Sequence, residues 1–182
     1  MPDVKNVSTS KPNLAGAVYR APLGTKLPTT VEEELAEAFA GLGYVTEDGL
    51  TNATERETIK AWGGDIVAST VTDTFQFTLL EAMSVETLKS VYGEENVSGT
   101  LETGITIKVN ETVQSACVWV FDIVLKGGVK KRIVVPHGAV SEVGEVTYNE
   151  NDPLGYETTV TATADDAGQT HYEYIKAPAV GG

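Results

Sequence analysis

From Val113 to Ile175 the chain reads as strand, turn, strand, turn, strand. Within Val113 to Leu125 the largest apolar groups, Trp119, Phe121, Ile123 and Leu125, fall at odd positions, a period of two that puts one face of a strand in a core. Gly127-Gly128 turns the chain back into Val129 to Val135. Pro136 is expected to end that strand, because it has no N–H for the ladder. Further strands are expected over 139–148, 156–164 and 170–176, the last two joined by Asp165-Asp166-Ala167-Gly168. Strands recurring about every ten residues with turn residues between them predict a mainly β fold, a β-sandwich or partly closed barrel.

The first two thirds are more mixed. Leu14 to Arg20 is a short candidate strand. After it, Val31, Leu35, Phe39 and Leu42 share one helical face, Thr30 and Glu33 fit a capping box, and Gly43 fits a C-terminal stop, which together predict a short amphipathic helix over 31–42. The polar stretch of about 44–70 is broken at Asp48-Gly49 and at Gly63-Gly64-Asp65. It reads as a long hairpin or loop whose tip carries Trp62. A strand over 74–80 and a second short helix over 84–92, capped by Ser84 and stopped by Gly93, come next. Leu101, Ile105, Ile107 and Val109 then predict a strand over 99–109. Residues 14–176 are therefore expected to form one domain with one or two short flanking helices. Residues 1–13 and 177–182 read as an N-terminal arm and a C-terminal tail with little core of their own.

Thirteen basic against 26 acidic residues leave a formal net charge of −13. Such a surface repels phosphate, which disfavours tight binding to DNA. No apolar run approaches the roughly 18 to 20 residues of a membrane helix. The N-terminus lacks the basic and apolar regions of a signal peptide, so synthesis in a cytoplasm is expected. Cys117, the single cysteine, lies on the apolar face of its strand and is expected to be a buried, inert thiol.

Candidate chemistry is sparse. His137 and His171 are the only histidines and show no metal-ligand spacing. There is no nucleophile elbow and no phosphate-cradling glycine loop, so neither an enzyme nor a cofactor is expected. Asn149 to Gly155 lacks the spacing of a calcium loop and reads as a solvated turn. The basic run Lys130-Lys131-Arg132 is better explained as the charge defence of an exposed edge strand, or as a subunit contact, than as a nucleic-acid site.

Several blocks occur in a telling order: Ala15 to Thr25, Gly43 to Leu50, Ile59 to Asp65, Phe75 to Glu81, Gly138 to Val143, and Asp152 to Tyr156 leading to the aromatic final strand. In this order the chain resembles the major tail tube proteins of long-tailed (siphovirus-type), non-contractile bacteriophages. The resemblance covers most of the chain and rests on the ensemble of blocks. It implies a β-sandwich flanked by a helix, self-associated into hexameric rings that stack into a hollow tube through which DNA leaves the virion without specific binding. It also implies partners in a tape-measure protein and tail-end proteins, and no membrane.

On that resemblance the long hairpin and the two termini take part in stacking. Trp62, Gly63, Gly64 and Asp65 are the candidates for the contact between rings. Glu102 and Glu111 are candidates for an acidic lumen that discourages phosphate adhesion. The alternatives are another structural phage protein, such as a contractile tail's inner tube or a capsid decoration protein, and an Ig-like receptor- or carbohydrate-binding module. The last would expose an aromatic cluster for which Tyr156, Tyr172 and Tyr174 are available.

Overall fold

The computed structural model describes residues 7–12 and 17–179. Its framework is one antiparallel sheet in the order β3-β2-β8-β9-β10-β5-β4. The strands along that path are β2 (Val18–Pro22), β3 (Ala40–Gly41), β4 (Val45–Lys60), β5 (Ile66–Leu79), β8 (Cys117–Leu125), β9 (Lys130–Val143) and β10 (Tyr156–Ala162). Two short strands lie off the path: β1 (Ser10–Pro12) pairs with β8, and β11 (Tyr172–Lys176) pairs with β9. A separate two-stranded ladder joins β6 (Val97–Ser98) to β7 (Thr106–Ile107). The sheet folds over on itself without closing, so the mainly β, sandwich-like fold is as expected. Across the core, Phe75 of β5 stacks on Phe121 of β8 with ring centroids 5.5 Å apart. Phe77 meets Trp119 at 5.9 Å. The expected arms and tail fall partly on 1–6, 13–16 and 180–182, outside the described residues; Ser10–Pro12 of the N-terminal arm is tied into the sheet as β1.

The period-two reading of the β8 segment places Trp119 and Phe121 in the main core. The alternate positions are buried too. Val118, Val120 and Val134 are covered on the opposite face, so this part of the sheet carries apolar groups on both sides, the pattern of a strand with both faces covered. The cover includes the segment where a helix was expected.

That helix over 31–42 does not form; Val31 to Phe39 is irregular, and Ala40–Gly41 pairs with Tyr19 and Arg20 instead. The capping signal itself is real, since the Glu33 N–H donates to Thr30 Oγ1 at 3.1 Å. A tertiary contact overrides its extension. The Arg132 guanidinium is buried, makes a bidentate pair with Asp122 at 2.7 and 2.8 Å, and donates to the carbonyls of Thr30 (3.1 Å) and Glu33 (2.7 Å). Helix propensity is a weak prior against such contacts. The same observation corrects the edge-strand reading of the basic run, because β9 is interior and Arg132 is a core anchor while Lys131 pairs with Glu173 at 2.8 Å.

Two further expectations change. Pro136 does not end its strand, which runs on to Val143. Here β9 exchanges partners, pairing with β11 up to Val134 and with β10 from Gly138, and its register against β8 shifts between Cys117 and Trp119. An irregularity of this kind is where a ladder tolerates proline. The strand expected over 99–109 shrinks to Thr106–Ile107, with Leu101 and Val109 exposed. By contrast the helix after β5 is present as α1 (Val85–Tyr92), with Ser84 Oγ accepting from the Thr87 N–H and Gly93 at the C-terminal end at φ 101°.

Candidate assembly interface

The expected hairpin exists, and it is longer than the sequence indicated. β4 and β5 pair from Val45↔Leu79 to Lys60↔Ile66. The turn residues Asp48-Gly49 produce a register shift between Val45 and Leu50 rather than a chain reversal. The tip closes with the Ala61 N–H donating to Asp65 O at 2.7 Å and the Gly64 N–H to Ala61 O at 3.0 Å. Gly63 and Gly64 both have positive φ, 107° and 97°, a conformation glycine takes at little cost.

β10 pairs with β5 only from Asp73 to Leu79. Outward of Asp73 the two strands have no neighbour but each other among the described residues, and every residue from Thr51 to Thr72 is exposed. At about 3.3 Å per residue, the seven β5 residues beyond Asp73 carry the ribbon about 23 Å from the last β10 pairing. Trp62 stands at its end, fully exposed at 106%, with Ile59, Ile66 and Val67 also exposed nearby. The structure thus brings Trp62, Gly63, Gly64 and Asp65 together at the tip.

The root of the ribbon is a buried carboxylate. Asp73 is fully buried and accepts from Asn52 Nδ2 (2.7 Å), Thr54 Oγ1 (3.0 Å) and Thr170 Oγ1 (2.8 Å), with His171 Nδ1 also against it. Burial pushes this carboxyl up, but the bonds from Asn52, Thr170 and His171 together outweigh it and hold the group below the ordinary aspartate range. The cluster ties both strands of the ribbon to the segment leading into β11. No sequence pattern marked it, because its members are far apart in the chain.

The ribbon's two faces differ in charge. Residues opposite each other in an antiparallel pair share a face, so Arg56 with Val71 and Lys60 with Ile66 continue the core side, whereas Glu55 with Thr72 and Glu57 with Thr70 continue the outer side. That outer side extends over the sheet through Thr74, Gln76 and Thr78 of β5, Glu157, Thr159 and Thr161 of β10, and Glu142 of β9. It is polar and carries no Lys or Arg along these registers. Gln76 Nε2 donates to Glu157 at 2.7 Å across it.

The other candidates lie elsewhere. Glu102 sits in the turn between β6 and β7, where Thr100 holds its carboxyl below the ordinary range by a hydrogen bond. Glu111 sits in the loop before β8, so neither glutamate is on a strand. Cys117 is half-buried, and burial pushes its thiol up. Tyr156 is in the core, edge-on to Tyr92 at 5.8 Å, and Tyr172 donates to Asp165 at 2.7 Å, so Tyr156, Tyr172 and Tyr174 form no common exposed cluster.

A family model described as phage tail tube protein matches residues 10–180. The chain belongs to the phage tail tube protein family. No curated protein gives a significant match. Membership makes this tail tube protein a bacteriophage structural protein and a component of the virion tail. Among the described residues no helix is long and apolar enough to cross a membrane. The family implies self-assembly into a tube.

Proposed function

We propose that the chain is the main tube subunit of a long-tailed, non-contractile phage tail, forming hexameric rings that stack around a lumen through which DNA passes during ejection. The observation that carries this reading is the free ribbon with a fully exposed indole at its tip. An isolated two-stranded ribbon is marginal in water, and a fully exposed Trp is a typical anchor of a protein contact. Trp62, Gly63, Gly64 and Asp65 form the contact between rings. Within a ring, the outer edges of β4 and β11, which pair with nothing among the described residues, are available to continue the sheet into neighbouring subunits.

The lumen is acidic. Glu102 and Glu111 remain candidates at its margin, but the outer sheet face with Glu55, Glu57, Glu142 and Glu157 is the better wall. It is broad, polar and free of cations, so phosphates slide past it. DNA is therefore conducted without specific binding. The N-terminal arm and C-terminal tail reach neighbouring subunits, and a tape-measure protein and tail-end proteins bound the tube. The role is structural rather than enzymatic, and assembly takes place in the host cytoplasm.

Negative-stain electron microscopy of the concentrated protein tests the reading. Rings or hollow tubes are expected, and particles that stay monomeric at every concentration would overturn it. Trp62→Ala is expected to abolish or shorten the tubes. Tubes as long and as stable as those of the unmodified chain would remove the tip from the contact between rings.

A further inference from the structure

An open, largely apolar surface lies at the end of the same two strands opposite the ribbon tip. Beyond Leu79 the chain turns into α1, with the Leu80 N–H donating to Tyr44 O at 3.0 Å and the Ser84 N–H to Glu81 O at 3.0 Å. Leu80, Glu81, Ala82, Met83, Ser84 and Leu154 line an open groove of about 720 Å³. The loop before β10 forms its far wall, packed so closely that a Cβ on Gly155 would lie 2.9 Å from Thr78 Cγ2 and 3.5 Å from Leu80 Cδ2. Met83 is 71% exposed, as is Tyr44, whose carbonyl accepts from the Leu80 N–H. Four of the six lining residues are apolar, yet no described part of the chain fills the groove.

We propose that this groove is the seat for Trp62 of a second copy. The inference rests on the tube reading above and names the surface that receives the tip. Three observations converge on that occupant. First, the groove and the tip lie at opposite ends of β5, whose 14 residues span about 45 Å at about 3.3 Å each, so one chain cannot bring its own two ends together. Second, the chemistry fits. An indole buries large area with few rotamers, and a flexible thioether such as Met83 makes favourable contacts with aromatic rings and adapts to their shape. Third, Lys60, two residues before Trp62, is the cation nearest the tip, and Glu81 lines the groove; that pairing offsets the acidic Asp65, while Glu55 and Glu57 lie on the ribbon face opposite Arg56.

A contact between two different surfaces of one chain is heterologous. Unless two copies dock reciprocally, it does not close a two-fold dimer and propagates head to tail. Placed at the two ends of a long strand pair, it propagates along the strand direction, and the repeat it sets is on the order of the extended length of β5, about 45 Å.

Photo-crosslinking tests the seat directly. The full chain carrying p-benzoylphenylalanine in place of Trp62 is assembled from a mixture of isotopically light and heavy subunits, irradiated, and the adducts mapped by mass spectrometry. Adducts between light and heavy chains at residues 80–84 or 154 are expected. Met83→Glu, which alters an exposed side chain, is expected to raise the concentration needed for tubes at least tenfold while the melting temperature of the subunit is unchanged. Tubes whose adducts fall elsewhere, or Met83→Glu subunits that assemble like the unmodified chain, overturn the seat and leave the tube reading standing. An unmodified chain that forms neither rings nor tubes overturns the tube reading, and the seat with it.

Discussion

β5 lives two lives along one strand. From Asp73 to Leu79 its odd residues are buried in the core and its even residues face outward, whereas from Ile66 to Thr72 both faces are exposed. The backbone ladder to β4 runs through both halves. Local conformational preference is therefore not what separates them; the difference is whether a layer lies beneath. Burial of apolar area supplies most of a domain's stability, and the outer half of β5 gains almost none of it. The sandwich holds the subunit together, and on the reading proposed above the ribbon is a surface for a partner outside the subunit.

The largest effect should come from the sandwich. Trp119 is almost fully buried, and its Nε1 donates to Gly138 O at 2.9 Å. Gly138 is packed so tightly that a Cβ there would lie 2.7 Å from Val160 Cγ1 and 2.8 Å from Trp119 Cδ1. Trp119→Ala removes the indole from that packing and should cost about 3–5 kcal/mol. For a chain of this size that lowers the melting temperature by roughly 10 °C, measured on the unassembled subunit. A loss below about 1 kcal/mol would mean that this part of the core collapses around the gap, and the contrast with the ribbon would weaken.

The root should give an intermediate effect. Asp73→Ala strands the donors of Asn52, Thr54, Thr170 and His171 and should cost about 2–3 kcal/mol. Hydrogen exchange should quicken around residues 52–54 and 163–171, which the carboxylate joins, more than in β8. The same group predicts an acid response. Its carboxyl is held below the usual aspartate value, so its stabilising contribution is fully present above the unfolded aspartate pKa of about 3.9 and is lost as pH falls through the lower folded value. Acid titration of the unmodified chain should therefore lose stability below about pH 4, and Asp73→Asn should flatten that part of the profile.

The sequence was most legible where structure is local or periodic. Trp119 and Phe121 announced a core face through period two, Ser84 and Gly93 bounded α1, and Gly63-Gly64 marked the turn that lifts Trp62 clear of the sheet. It was least legible where a distant residue decides. The capping pair Thr30 and Glu33 forms as read, but Arg132, about a hundred residues later, takes the carbonyls that a helix would need. Pro136 looked like a terminator because nothing local shows that β9 changes partners beside it. The Asp73 cluster and the groove at Met83 are juxtapositions made by the fold, and the signals for them are spread from Tyr44 to His171. Only the ribbon tip of the candidate interface was contiguous enough to be seen beforehand.

The smallest effect on the fold should come from the residue with the largest proposed effect on assembly. Trp62 has no buried surface within the subunit, so Trp62→Ala should change subunit stability by less than about 0.5 kcal/mol, a shift of no more than about 2 °C in the melting temperature. In the free subunit the amides of Ile66 to Thr72 are guarded only by a solvent-exposed two-stranded ladder and should exchange far faster than those of β8. In assembled tubes they should become protected, because a seated tip fixes the far end of the ribbon as Asp73 fixes the near one. A melting temperature that falls by 5 °C or more in Trp62→Ala would show that the ribbon contributes to the subunit's own fold. Unchanged exchange of residues 66–72 on assembly would show that the tip touches nothing. Either result would abolish the division of labour between the two halves of β5, whereas a silent melting curve combined with lost tubes and lost protection would locate the ribbon's function in the contact between copies.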